Sequence, residues 1–487
     1  MSASPPSESQ TGKVAVRDVV KPSRWGTTFA SLREPEYAWY FTGNIAFFMG
    51  MQMQIILRGY LAYDISGRAV VLALVSMSMA LPMLVVAPFG GVVADRVNKR
   101  TLLMVTQSVA AAASLLVALL ILADAIEIWH LVVVSLLTGV VFSFNMPARQ
   151  ALVPLLVPQH KLMNAISLQM GGMNLTRIIA PTSGSLLIAP LGIGWVYMLT
   201  TALFSMAVLS ETRLPKHGMV SNTNREGVKK EMGAGFRYIL EDPTLRLLML
   251  VALLMPLFAF PVQQLFPVFA RDVFGDGGDD QAALYLGWLA AASGVGGLLG
   301  AMFAANLDGI AAKGRIMLAG GIAMGTFLFL FSWAPHLIFA LLFIAAMGIG
   351  QMTFMATNNA VIQAGLPTEI RGRVMSILMM SFGMMPLGVL PVSIASDVFG
   401  PRWALGGSAV VMLTVIAVLW TLSTRLRRLR VEQLQESQMS AARASQLVAE
   451  GKLTQEQADE LTGERARREA IEARRAADRS EQASNET

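Results

Sequence analysis

The sequence predicts an all-α membrane protein with twelve transmembrane helices, arranged as two six-helix halves of a parallel repeat. Three observations predict it. Of 487 residues, 54% are hydrophobic and only 14% charged, whereas soluble domains carry about 25% charged residues. Apolar runs long enough to span a hydrocarbon core, about 18 residues or more, recur along the chain. Features of the first half also return in the second about 209 residues later, in the same order.

Twelve spans follow from the apolar runs: 38–62, 69–94, 101–123, 129–152, 162–189, 193–212, 244–269, 282–306, 314–334, 336–363, 372–397 and 401–424. The chain then divides into an N-terminal tail (1–37), a first half (38–212), a linker (213–243), a second half (244–424) and a charged tail (425–487). The first 36 residues are polar and mixed in charge, unlike a cleaved signal peptide. The linker reads as a polar connection with a surface helix near 231–240. Beyond the last span, Arg425, Arg427, Arg428 and Arg430 can meet anionic headgroups.

Orientation follows from the bases. Sixteen Lys and Arg fall in one set of alternate connections, and Arg68, Arg271 and Arg402 fall in the other. Bases stay on the cytoplasmic side, so both termini are expected inside an inner cell membrane. The other side carries the acidic, glycine-rich stretch Asp276-Gly-Gly-Asp279-Asp280.

The repeat is an ordered series. Gly91 corresponds to Gly300, Gly139 to Gly348, Pro158 to Pro367 and Ser167 to Ser376. One residue less in the offset brings Asp64-Ile-Ser-Gly67 onto Asp272-Val-Phe-Gly275, and Trp195 onto Trp403. Two units with six spans each share membrane orientation, so an axis along the membrane normal relates them.

The turn Gly91-Val-Val-Ala-Asp95-Arg96-Val-Asn98-Lys99-Arg100 sits between the second and third spans. It resembles the Gly-x-x-x-Asp-Arg-x-Gly-Arg-Arg/Lys loop of the major facilitator superfamily, with Asn98 where the second glycine stands. Asn145-Met-Pro-Ala-Arg-Gln-Ala-Leu-Val-Pro154, Asn164-Ala-Ile-Ser167, Asn174-Leu-Thr-Arg177-Ile-Ile-Ala-Pro181 and Arg371-Gly-Arg-Val-Met-Ser376 resemble the branch that holds enterobactin exporters and macrolide-efflux proteins. The resemblance covers about 25–424. It implies the major facilitator fold, with substrate between the halves, and a conformational latch made by Gly91, Asp95, Arg96, Lys99 and Arg100. In this reading Gly91 lets helices 2 and 11 approach. Ala180-Pro181-Thr-Ser-Gly184-Ser185 resembles the helix-5 antiporter motif Gly-Pro-x-x-Gly-Gly, with small residues at two glycine positions. It implies export in exchange for protons.

Polar residues inside spans mark a pathway, because each is costly in lipid. Ser167, Met170, Asn174, Arg177 and Pro181 share one face of helix 5. Asn44, Met51, Ile55 and Arg58 share one of helix 1, flanked by Gln52 and Gln54. The expected translocation cavity comprises Asn44, Gln52, Arg58, Asn174, Arg177, Gln263 and Gln351. Arg58 and Arg177 suit anionic or strongly polar substrate groups. Each also has a structural reading as a brace to carbonyls or, for Arg58, a snorkelling side chain. Methionines crowd helix 11 at Met375, Met379, Met380, Met384 and Met385, and such surfaces repack around varied ligands.

The chain has no cysteine and four histidines, which argues against a metal site, and no catalytic constellation stands out. No phosphate-binding Gly-x-x-x-x-Gly-Lys-Ser/Thr loop is present, so ATP is not the expected fuel. No cofactor and no nucleic acid are expected. The reading is a monomeric, non-enzymatic exporter of an amphipathic small molecule, siderophore or drug, working in the bilayer with protons as counter-ions. Uptake by symport and lysolipid movement stay open. So does a membrane-embedded signalling or scaffold role, supported only by the charged tail. Asp64, Asp95, Asp124, Glu127 and Asp397 all fall at span ends, so no proton carrier is identified.

Overall fold

A computed structural model describes residues 29–215, 236–275, 278–307, 312–366 and 381–427, with 370, 374–375, 377–378, 447–448, 454 and 457 besides. Most of the linker and of both tails lies outside the described residues. Among the described residues the chain is helical, without strands. Helices run α1 Pro35–Ser66, α2 Ala69–Arg96, α3 Lys99–Leu122, α4 Ile128–Leu156, α5 Leu162–Leu191 and α6 Ile193–Glu211. They continue as α7 Pro243–Val273, α8 Asp279–Asn306, α9 Lys313–Ser332, α10 Leu337–Ala364, α11 Met385–Phe399 and α12 Pro401–Leu422.

Among the described residues, nine of these are long and apolar enough to cross a membrane. Three fall short, each for a visible reason. In α2 and α11 only shorter apolar stretches, Ala69–Met83 and Met385–Phe399, enter the comparison. Helix α5 has 30 residues, but Asn164, Gln169, Asn174 and Arg177 dilute its apolar character.

Local chemistry explains the boundaries. Gly67 ends α1 in the left-handed region at φ 62°, where a Cβ would clash. Asn98 caps α3 by accepting from the amides of Arg100 at 3.0 Å and Thr101 at 3.4 Å. This gives the departure from the family loop a purpose: the side chain at 98 satisfies first-turn amides that a glycine would leave to water. Helix α7 is broken into α-helical and π-helical turns, with π segments at Met255–Ala259 and Phe269–Val273. Pro256, Pro261 and Pro267 lie in it, and each removes a backbone donor.

Two groups of contacts appear. Helix α1 packs on α5 and α6, α2 on α4, and α3 on α4 and α6; α8 packs on α10, α9 on α10 and α12, and α11 on α12. The groups meet through α5 against α8 and α2 against α11. Glycine allows the closest approaches. A Cβ at Gly139 of α4 would lie 2.2 Å from the Met79 carbonyl oxygen of α2, and one at its repeat partner Gly348 would lie 2.9 Å from the Gly296 backbone of α8. Small residues at helix crossings let backbones touch where lipid supplies no hydrophobic drive. Trp129, Trp195, Trp333 and Trp403 are all exposed and stand at one end of the bundle, as an interfacial aromatic belt requires.

Candidate functional site

At the end of the bundle that holds the α1–α2 turn, the two groups are tied by carboxylates. Asp64 accepts from Arg271 Nη1 at 2.9 Å, and the Tyr63 hydroxyl donates to the Asp272 carboxylate. The 208-residue offset maps Tyr63-Asp64 onto Arg271-Asp272, so each aspartate takes its partner from the other copy. That is the reciprocal contact a two-fold relation produces. A third tie has no repeat counterpart. Helix α2 starts without a side-chain cap of its own, and Asp397 of α11 accepts from the amides of Ala69 at 2.6 Å and Val70 at 3.0 Å. Arg68 approaches the same carboxylate at 4.0 Å. A carboxylate on a helix N-terminus gains from both the orphan amides and the helix dipole, by about 0.3–1 kcal/mol at an exposed site. Asp397→Asn is therefore expected to label a cysteine at the buried position 69 about two- to fivefold faster. The parent chain has no cysteine, so maleimide kinetics on Ala69→Cys read this directly, and unchanged kinetics would discount the tie.

Helix α5 lies at the seam, against α1 and α8. Thr176, Ala180, Gly184 and Ser185 are buried, while Asn174 and Arg177 are exposed. Met170, on the same flank, is 62% exposed. No hydrogen bond or ion pair joins Arg177 to another described residue. Pro181 interrupts the backbone ladder of α5, and the Ser185 hydroxyl donates back to its carbonyl at 2.8 Å. Gln52 is half-buried, Gln263 exposed and Gln351 buried. The neighbouring Gln264 accepts from Ser76 of α2 at 3.0 Å.

Two expected cavity residues occupy the interior of the N-terminal group. Arg58 is buried; its Nη1 donates to Ser135 Oγ and Thr138 Oγ1 of α4, each at 3.2 Å, and its Nε donates to the Gln54 carbonyl. Here Arg58 braces α1 to α4. Asn44 is fully buried and accepts from Arg149 Nη1 at 2.9 Å. Helical spacing names a face but not the neighbour that covers it, so α4 fills a side that spacing alone assigned to the passage.

In the Gly91–Arg100 stretch, Arg96 is exposed, Lys99 is buried, and Arg100 donates to the Thr212 carbonyl at 2.7 Å. The surroundings of Gly91 and the Asp95 side chain lie outside the described residues.

The sequence reading missed a buried polar cluster. Arg149, counted there among the bases of a connection, is 1% exposed inside α4. It donates to Asn145 Oδ1 at 2.6 Å and to Asn44, and lies 3.4 Å from Glu211 Oε1 of α6. The guanidinium stands 4.6 Å from the Phe47 ring centroid. A signal was available: Asn145 and Arg149 have the i, i+4 spacing of one helix face, and Glu211 is the one acidic residue in the stretch 193–211.

The profile of a protein family described as "Transmembrane secretion effector" matches residues 26–455. The multidrug efflux pump Tap of Mycolicibacterium fortuitum is 26% identical, over 78% of this chain and 93% of its own. Macrolide efflux protein A of Streptococcus pyogenes is 24% identical, over 75% and 90%. The staphyloferrin A transporter of Staphylococcus aureus is 24% identical, over 78% and 94%. Among solved structures, a bacterial homologue of the human lysosomal transporter Spinster, in an inward-facing unoccupied conformation, superposes with a TM-score of 0.62 at 15% identity, covering 81% of this chain and 97% of that one. The nucleoside transporter NupG superposes at 0.63 with 13% identity, covering 79% and 98%. These likenesses show the fold.

Proposed function

The chain belongs to the transmembrane secretion effectors of the major facilitator superfamily, and from that premise we propose that it exports an amphipathic small molecule, a siderophore or a drug, by proton antiport with alternating access. The two contact groups are the two six-helix halves, 38–212 and 244–424, joined by the cytoplasmic linker 213–243. The tails 1–37 and 425–487 lie inside, and the unit is a monomer. The carboxylate ties at the α1–α2 end then lie outside, and this conformation is closed there.

One observation carries the substrate reading. Arg177 is a cation in the middle of a span, exposed, beside Asn174 and without a protein counter-ion among the described residues. Such a group facing lipid would be costly. Facing the space between the halves, it is a binding group awaiting an anionic or strongly polar partner, and Gln52 and Gln263 supply neutral donors and acceptors. The relatives' printed names cover macrolide efflux and staphyloferrin transport, and Arg177 favours an acidic cargo here. Asp95, Arg96, Lys99 and Arg100 act as the inner latch when the cytoplasmic side shuts, and Ala180, Pro181, Gly184 and Ser185 shape α5.

Inverted membrane vesicles test this. With the lumen made acidic, a catecholate or citrate-type siderophore is expected to accumulate in the lumen and to leak back when the gradient is collapsed. Accumulation that needs the opposite gradient would mean uptake by symport. Movement that ignores the gradient would remove the antiport reading, and no protein-dependent movement of any siderophore, macrolide or lysolipid offered would remove the transport reading.

A further inference from the structure

Three helices of the N-terminal group close around one carboxyl group. Glu211, the last residue of α6, has no exposed surface. Its Oε1 is 2.6 Å from the Gln107 amide of α3 and 3.4 Å from Arg149 Nη2 of α4. Its Oε2 is buried without a partner, and so are Gln107 Oε1 and Asn44 Nδ2. Three orphan polar atoms on one buried network call for an explanation, because each carries a desolvation cost.

A bound proton accounts for the carboxyl group, because a neutral carboxyl costs far less to bury than a carboxylate with an unpartnered oxygen. An N–H···O contact spans about 2.7–3.2 Å and an O–H···O contact about 2.5–3.0 Å. The 2.6 Å contact between Gln107 and Glu211 accommodates the second kind, although the Arg149–Asn145 contact is an N–H···O bond of the same length. With the Gln107 amide turned over, its carbonyl oxygen accepts from a neutral Glu211 carboxyl, and its NH2 group takes the position of the unpaired oxygen. Arg149 does not need Glu211 as an anion in this arrangement. Its Nε and Nη1 are held by Asn145 and Asn44, and the Phe47 ring lies beside its charge. Its distance to Glu211 exceeds the about 2.7–2.9 Å of a charge-assisted bond. When the proton leaves, Arg149 is the only cation within reach of the carboxylate from α1, α3 or α4 among the described contacts. Arg100 of α3 approaches the adjoining Thr212 carbonyl, and Tyr40 of α1 donates to the Arg149 carbonyl at 3.3 Å.

We propose that Glu211 is a proton-binding site that exchanges between a neutral carboxyl donating to Gln107 and a carboxylate drawn onto Arg149. This rests on the antiport reading and makes Glu211 its proton carrier. The exchange moves Arg149 between Asn44 on α1 and Glu211 on α6. Asn44 on α1 is one turn from Tyr40, which accepts from Gln169 of α5 at 3.3 Å, two helical turns before Arg177. A proton lost at Glu211 thus acts directly on α1, the helix that carries Asn44.

Two measurements test this on the full chain. In proteoliposomes, with a catecholate siderophore and a macrolide as probes, Glu211→Gln is expected to cut gradient-driven transport at least tenfold while probe-for-probe exchange stays within twofold of the parent. Gradient-driven transport retained in Glu211→Gln overturns the assignment. A parent protein that ignores the gradient removes the antiport reading instead, and leaves the proton site to the second measurement. Infrared spectra of the purified protein are expected to contain a protonated carboxyl band that Glu211→Gln deletes. Gln107→Met, which keeps the acid and removes the acceptor, should shift that band to higher frequency, and it serves if Glu211→Gln fails to assemble. A band absent from the parent protein at every pH at which it stays folded shows that Glu211 is a fixed counter-ion of Arg149, and a band unmoved in Gln107→Met shows that its proton is not donated to Gln107; either overturns the proposal.

Discussion

Arg177→Gln is expected to lower transport of an anionic probe by about ten- to hundredfold while leaving the fold intact. The magnitude comes from the loss of one charge-assisted hydrogen bond, about 1.5–3 kcal/mol, at about 1.4 kcal/mol per tenfold. The fold is spared because Arg177 is exposed and has no hydrogen bond or ion pair with a described residue that the substitution would break. Equilibrium binding of a catecholate siderophore, paired with a thermal melt, reads both halves of the expectation. A neutral or basic macrolide should lose less than twofold. Equal losses for acidic and basic probes would mean that Arg177 shapes the helix rather than meeting the cargo. Arg58 makes the contrast. It bonds Ser135 and Thr138 within the bundle, so Arg58→Gln should cost stability first and affinity only through it.

Gly139→Leu is expected to destroy the packing of α2 on α4. The added Cβ would stand 2.2 Å from the Met79 carbonyl oxygen, and the next obstacle is Met79 backbone again, at 3.1 Å. Backbone cannot rotate away as a side chain can, so the helices must part. Overpacking of rigid contacts costs about 1–3 kcal/mol and sometimes more, and here the separated helices also lose their small-residue seam. Yield of monodisperse protein in detergent should fall severalfold. Gly407→Ala on α12, where nothing lies within 4 Å, is the matched control and should behave as the parent does. A monodisperse Gly139→Leu protein with an unchanged melt would show that the α2–α4 seam is looser than its geometry.

Much of the architecture was readable because the bilayer leaves few choices. A segment in lipid must satisfy its own backbone, so long apolar runs are helices. Asn98, Gly67, Gly192 and Gly400 mark helix ends through local chemistry, and the last two hold φ of 79° and 88° at matching repeat positions. The ordered repeat also foretold that Asp64 and Asp272 occupy equivalent places. Their exchange of partners was not foretold, because Arg271 and Tyr63 are adjacent in sequence to their own aspartates and the alternative pairing is local.

What remained hidden depends on which helix stands next to which. Arg58 and Arg177 read alike, as single arginines on polar helix faces. Tertiary packing separated them: α4 offers Ser135 and Thr138 to the first, and no hydrogen bond or ion pair among the described residues holds the second. Arg149 and Glu211 are 62 residues apart and near the ends of their apolar runs, so each resembled an ordinary interfacial charge. Only the packing of α3, α4 and α6 removes both from water, and that burial turns a pair of end-of-helix charges into a network with a place for a proton. The sequence by itself determined that this chain is an all-helical membrane protein, because hydropathy is a property of the chain alone. The tertiary structure decided which charges are braces, which are ties between halves and which stand free, because a charge's role is set by what surrounds it.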